Sequence, residues 1–242
     1  MLPFYKPSYD PATLDAIEEV LKSGWLTTGP KTKEFEKALS AYNGNPSTIC
    51  VSAATTGLEL MLRWYGVGEG DEVILPAYTY SATANVIVHC GAKPVFVDSG
   101  SDFNISLAAV EAAITSATKV IMPVDFAGMP CDYAAINELV RNEDVLKLWK
   151  GNNGNQNKLG RILVLSDAAH SVGATYKGKR TGSLTDISVF SFHAVKNLTT
   201  GEGGAIALNL GDPFDNQEIY NSLNINSLHG QSKDALAKTK KG

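Results

Sequence analysis

Ile162-Leu-Val-Leu-Ser-Asp167-Ala-Ala-His170, and further along Asp186-Ile-Ser-Val-Phe-Ser-Phe-His-Ala-Val-Lys196-Asn-Leu-Thr-Thr-Gly-Glu-Gly-Gly204, decide how this chain folds. Each begins as a short continuous apolar run and stops abruptly on polar chemistry, which is how a strand buried on both faces reads. The first run ends on Asp167. The second delivers a lone lysine, Lys196, to the lip of a glycine-rich turn, where backbone can approach a bound group closely. Strands of this kind belong to a largely parallel sheet, and ligands of such sheets gather at the carboxyl ends of the strands.

Outward from these two runs the pattern alternates. The spacing predicts helices over 11–23, with Leu14, Ile17, Val20 and Leu21 on one face and Gly24 as the stop, then over 32–41, 56–65, 83–90 and 107–114. Strands are predicted between them over 48–52, 72–75, 94–97 and 119–124. This rhythm predicts an α/β domain with a mostly parallel sheet covered by helices on both faces. The stretch 141–160, with Lys-Gly-Asn-Asn-Gly-Asn-Gln-Asn-Lys inside it, lacks an apolar period and reads as an exposed insertion. A further helix is expected over 215–228, and 231–242 reads as a polar, basic tail or interrupted loop. The expected organisation is an N-terminal segment (1–30) packing on a large domain (31–210), followed by the start of a C-terminal region (211–242).

Composition narrows the function classes. At 242 residues, 44% hydrophobic and 19% charged, the chain is ordinary globular material, and its net charge of −4 provides no basic footprint for nucleic acid or a membrane surface. The first residues contain no signal-like apolar region and no segment is a membrane span, so a cytoplasmic location is expected. Cys50, Cys90 and Cys131 are odd in number and lack a CxxC pair, which fits reduced thiols; no metal site is expected.

A lysine and an aspartate at neighbouring strand ends suggest pyridoxal 5′-phosphate. The lysine amine would bond to the aldehyde and the aspartate would keep the ring nitrogen protonated. Val51-Ser-Ala-Ala54-Thr55-Thr-Gly57 turns from strand to helix through small and hydroxylated residues, which suits a phosphate at a helix N-terminus as well as an ordinary helix cap. Tyr80, after the 72–75 strand, offers a ring for stacking on a flat group, although core packing is the commoner use of a tyrosine. Ser191 is placed to give a hydroxyl to the same phosphate, and His170 to approach the ring oxygen.

Together with Gly24-Trp-Leu-Thr-Thr-Gly-Pro30, Gly70-Asp-Glu-Val-Ile-Leu-Pro76 and Gly91-Ala-Lys-Pro-Val-Phe-Val-Asp98, the segments Asp167–His170, Ser191–Asn197 and Gly201–Gly204 resemble the DegT/DnrJ/StrS aminotransferases. The resemblance is collinear from about residue 2 to residue 230, and several ordered motifs are more specific than any one alone. It implies the large domain of the aspartate-aminotransferase fold (fold type I). It also implies an enzyme moving an amino group, with glutamate as the expected donor, to a nucleotide-linked keto sugar, most like those aminating C4. Such products serve cell-surface polysaccharide or related glycan synthesis. By the same resemblance Lys196 would be the Schiff-base lysine and acid–base group, Asp167 would pair with the ring nitrogen, Tyr80 would stack and His170 would face the ring hydroxyl. Ala54, Thr55 and Ser191 would hold the phosphate, and the active site would be shared in a homodimer.

Three positions depart from the family pattern. Ala54 replaces a frequent glycine, which requires a negative φ there; Ser166 replaces a frequent glutamate and His170 a frequent glutamine. Family members are also longer, so the small C-terminal domain is expected to be largely absent. That leaves two alternatives: a truncated non-catalytic relative with a regulatory or assembly role, and a sugar dehydratase of the same family. The dehydratases replace the lysine with histidine, which Lys196 argues against.

Overall fold

The computed structural model describes residues 9–227 together with Lys6 and Gly230. The start of the predicted N-terminal segment, Leu228 at the end of the last predicted helix, and the 231–242 tail lie outside the described residues. Helices α1 (Pro11–Ser23) and α2 (Pro30–Asn43) lead into β1 (Ser47–Val51), α3 (Ala54–Tyr65), β2 (Glu72–Pro76), α4 (Ser81–His89), β3 (Lys93–Val97), α5 (Leu107–Ala113) and β4 (Thr118–Ile121). Three short helices follow, α6 (Tyr133–Leu139), α7 (Glu143–Leu148) and α8 (Gly154–Leu159), and then β5 (Leu163–Asp167). A hairpin of β6 (Thr175–Tyr176) and β7 (Lys179–Arg180) precedes β8 (Ile187–Ser191), β9 (Gly204–Leu208) and α9 (Asn216–Ser227).

The main sheet has seven strands in the order β1-β9-β8-β5-β4-β2-β3. Only β9 runs against the others, pairing antiparallel with both β1 and β8. Successive strand residues point to opposite faces, and the packing follows that period. Val73, Leu75, Val120, Leu163, Leu165, Ile187 and Val189 join one core with Leu58, Met61 and Leu62 of α3, Val86 and Ile87 of α4, and Ile219 and Leu223 of α9. Ile74, Ile121 and Val164 face the other way, onto Val110 of α5 and onto Tyr133, Ile136 and Leu139 of α6. Phe190 and Ala205 meet Leu39 of α2. The mostly parallel mixed sheet between two helix layers agrees with the sequence expectation.

Most residues of the 141–160 stretch are exposed, yet the stretch is not irregular throughout. It contains α7 and α8, and Gln156 within it is fully buried. Gln156 Nε2 donates to the carbonyls of Tyr65 and Gly66 at 3.3 Å each, and Asn155 Nδ2 donates to Trp64 O at 2.7 Å. These carbonyls close α3, whose last turn needs hydrogen-bond donors. Side-chain amides do that work with no apolar period to reveal it.

Helix α1 forms as its sequence predicts. Asp10 accepts from Thr13 N at 2.9 Å, Pro11 occupies the first turn, and Gly24 ends the helix at φ 70°. Its apolar face nevertheless stays mostly uncovered by the described residues: no α1 residue is buried, and Val20 alone is partly covered.

A cleft at the carboxyl edge of the sheet

The carboxyl ends of β1, β2, β4, β5 and β8 surround a cleft of about 730 Å³. All seven residues singled out from the sequence line it: Ala54, Thr55, Tyr80, Asp167, His170, Ser191 and Lys196.

Helix α3 enters the cleft by its N-terminus. Ala53 is its N-cap and no side chain caps it, so the first-turn N–H groups and the positive end of the helix dipole are left for another acceptor. Ala54 keeps a negative φ, which removes the difficulty of having alanine there. Two glycines let this end sit deep. A Cβ at Gly204 would fall 2.7 Å from both Ala54 N and Phe190 O, and one at Gly57 would fall 2.8 Å from a Val189 methyl. The Ser191 hydroxyl, accepting from His193 N at 3.3 Å, and the Thr55 side chain stand on the same cleft wall.

Asp167 is buried at the end of β5. Its Oδ2 accepts from Thr83 Oγ1 at 2.8 Å and its Oδ1 from Ala169 N at 3.2 Å, which leaves acceptor capacity on a carboxylate facing the cleft. Burial raises its pKa, and the Thr83 and Ala169 hydrogen bonds oppose the rise. Lys196 is half-buried in the excursion joining β8 to β9. Thr200 N and Thr199 Oγ1 both donate to Phe192 O, and Phe192 N donates to Gly203 O, so the loop carrying the lysine is closed at its base. Burial lowers the Lys196 pKa, with the charge of Asp167 acting the other way. His170 is likewise lowered, first by burial and then by Lys196. The arrangement gives an amine that deprotonates more readily than a surface lysine, a buried acid beside it and an anion-attracting helix end. Tyr80, at the start of α4, leaves its ring 79% exposed over the cleft.

Other lining residues escaped the sequence reading. Tyr78, Phe126 and Phe103 form a cluster of mutually tilted rings with centroids 4.9–5.5 Å apart, and His193 faces Glu202 at 3.7 Å. Asp125 was also missed, although it follows a strand just as Asp167 does and carried the same signal.

A sequence profile of the DegT/DnrJ/EryC1/StrS aminotransferase family matches residues 7–150 and 157–241. The chain is 41% identical over 235 residues to the uncharacterised protein MJ1066 of Methanocaldococcus jannaschii, covering 97% of this chain and 55% of that protein. It is 40% identical over 235 residues to the spore coat polysaccharide biosynthesis protein SpsC of Bacillus subtilis, covering 97% of this chain and 54% of that one. Among solved structures, Spr1654 of Streptococcus pneumoniae, a provisionally assigned sugar aminotransferase, superposes in its PMP form with a TM-score of 0.93 at 47% identity, covering 99% of this chain and 60% of that one. Its PLP form gives 0.92 at 46% identity, covering 97% and 59%. The chain thus spans little more than half the length of the relatives it matches.

Proposed function

Since the chain belongs to the DegT/DnrJ/EryC1/StrS aminotransferase family, whose members use pyridoxal phosphate, we propose that it forms the cofactor-binding part of an enzyme that passes an amino group from glutamate to a nucleotide-linked keto sugar, at C4. The observation that carries this reading is the convergence of Lys196, Asp167 and the uncapped N-terminus of α3 on one cleft.

The residues fit the cofactor. The α3 N-terminus, brought close by Gly204, suits a phosphate, with hydroxyls from Thr55 and Ser191 beside it. The free acceptor capacity of Asp167 suits a protonated ring nitrogen, and Tyr80 would cover one ring face. When bound, pyridoxal phosphate supplies an aldehyde carbon that joins amines and a ring that takes up the electrons freed by deprotonation.

The chain's own work is positioning and proton transfer. Asp167 would hold the proton on the ring nitrogen, and His170 would orient the ring through its hydroxyl. Lys196 would have to be neutral to join the aldehyde carbon, with the carbonyl oxygen leaving as water, and to take the proton from the donor's α-carbon, and its lowered pKa favours that form. The same amine would return the proton at the cofactor's C4′, and in the second half of the cycle it would act at the sugar carbon.

The name of SpsC supports a role in cell-surface polysaccharide synthesis. Exposed Tyr78, Tyr80 and Val195 lining the cleft support a homodimer in which a second copy covers the mouth. Three unpaired thiols suit a reducing, cytoplasmic setting. No helix among the described residues is long and apolar enough to cross a membrane.

The test is optical. Purified protein given pyridoxal phosphate should develop a visible band that borohydride abolishes, Lys196→Ala should lack the band, and a colourless wild type overturns the reading. Asp167→Ala should hold the cofactor weakly and transfer almost no amine. A second reading, a relative that binds cofactor without turnover, draws on the partial span of the known relatives. Conversion of the bound cofactor to its amine form by glutamate separates the two.

A further inference from the structure

The mechanism leaves one buried ionisable group of the cleft unused, Asp125, which is 1% exposed. It lies just beyond β4, where the chain interlocks with β5: Asp125 N donates to Asp167 O at 3.2 Å and Asp167 N donates to Pro123 O at 2.9 Å. Both oxygens of its carboxylate accept hydrogen bonds. Oδ1 accepts from Tyr133 OH at 2.5 Å and from Cys131 N at 3.1 Å, and Oδ2 accepts from Ser171 Oγ at 2.6 Å. With its proton given to Asp125, the Tyr133 hydroxyl accepts from Ser166 Oγ, 2.6 Å away. One carboxylate is thereby tied to both flanks of the 166–171 turn, to Ser166 through Tyr133 and to Ser171 directly. The neighbouring backbone is equally close, since a Cβ at Gly128 would lie 2.8 Å from His170 O.

We propose that Asp125 is a positioning residue for the cofactor ring: by anchoring the 166–171 turn it fixes the Asp167 carboxylate against the ring nitrogen and His170 against the ring hydroxyl. This rests on the cofactor reading above. A carboxylate accepts at both oxygens whereas an amide accepts at one, so Asp125→Asn can hold Ser171 only by reversing that bond, with the amide donating to Ser171 Oγ, and it loses the charge that receives all three donors. The turn would then lose its register while the pocket kept its volume.

Equilibrium dialysis of the full chain against two probes tests this: pyridoxal phosphate, and its 1-deaza analogue, in which C–H replaces the ring nitrogen. Wild type should prefer pyridoxal phosphate, because only it can use Asp167. Asp125→Asn should lower affinity for pyridoxal phosphate about tenfold and for the analogue about twofold or less, as expected when a charged hydrogen-bond partner is misplaced. Tyr133→Phe, which keeps the carboxylate and removes one donor, should shift the preference in the same direction by about threefold, and it serves if the first variant fails to fold. Equal losses for both probes would reduce Asp125 to a structural residue and overturn the proposal, as would unchanged affinities. Wild type that binds neither probe overturns the cofactor reading itself.

Discussion

Burial lifts the Asp125 carboxyl to about 6, and the hydrogen bonds from Ser171 and Tyr133 only partly offset the lost solvation. Between the unfolded value of 3.8 and about 6 the folded chain therefore binds this proton more tightly than the unfolded chain does. The stability it confers is fully present below that window and is lost as pH rises through it, on the order of 3 kcal/mol. Glu59, Glu72 and Asp132 run the other way, because hydrogen bonds from Arg63, Thr115 and Tyr176 respectively lead in lowering their pKa, and their contribution disappears as pH falls. The informative measurement is consequently a difference. In cofactor-free melts, wild type should lose stability relative to Asp125→Asn as pH rises from about 4 to 7, and a gap that stays constant with pH would show that folding leaves this proton affinity unchanged. At this scale the sequence was most legible where an apolar run ended on chemistry, as at Asp167. Asp125 offered the same cue but was overlooked beside it. Tyr133, Ser166 and Ser171 had no local signal, because their roles come from contacts between segments distant in the chain.

Among the elements, α3 carries the most. Its start is positioned by the absence of a side chain at Gly204, so Gly204→Ala should push Ala54 N and Phe190 O apart. Overpacking of this kind costs about 1–3 kcal/mol, and the phosphate end of the cleft should open with it. The expected outcome is a lower melting temperature together with weaker binding of pyridoxal phosphate; a variant as stable and as tight as wild type would show that the close approach is dispensable. The other end of α3 is closed by Gln156 together with Asn153, and Gln156→Ala should leave the Tyr65 and Gly66 carbonyls with Asn153 Nδ2 alone and take from Asn152 N its side-chain acceptor. Unsatisfied buried groups cost about 1–3 kcal/mol each, so chemical denaturation should find the variant less stable by at least the lower figure. Strands and long helices were legible because apolar period and burial coincide in them. Helices α6, α7 and α8, strand β9 and the β6–β7 hairpin were not: α8 is held by side-chain amides bonded to distant carbonyls, and β9 follows directly on the glycine-rich turn.

At the scale of the whole molecule, α1 stands apart. Its apolar stripe is the pattern by which a surface helix declares a buried face, yet Leu14 is 57% exposed, Ile17 53% and Leu21 60%. A single exposed leucine is ordinary, whereas three on one helical face form a patch that normally marks a contact. The cleft is also lined by exposed apolar side chains at Tyr78, Tyr80 and Val195. With none of its residues buried, α1 should contribute little to the stability of the sheet and its two helix layers. Ile17→Glu should then leave the denaturation midpoint of this chain within about 0.5 kcal/mol of wild type, while Leu62→Ala, inside the main core, should cost about 2–5 kcal/mol. Amide exchange should separate the same two helices, because a helix of 13 residues with no buried face is only marginally stable in water. Fast exchange throughout α1 beside slow exchange in α3 is the expected outcome, and a marked loss of stability in Ile17→Glu would place the α1 face inside the fold.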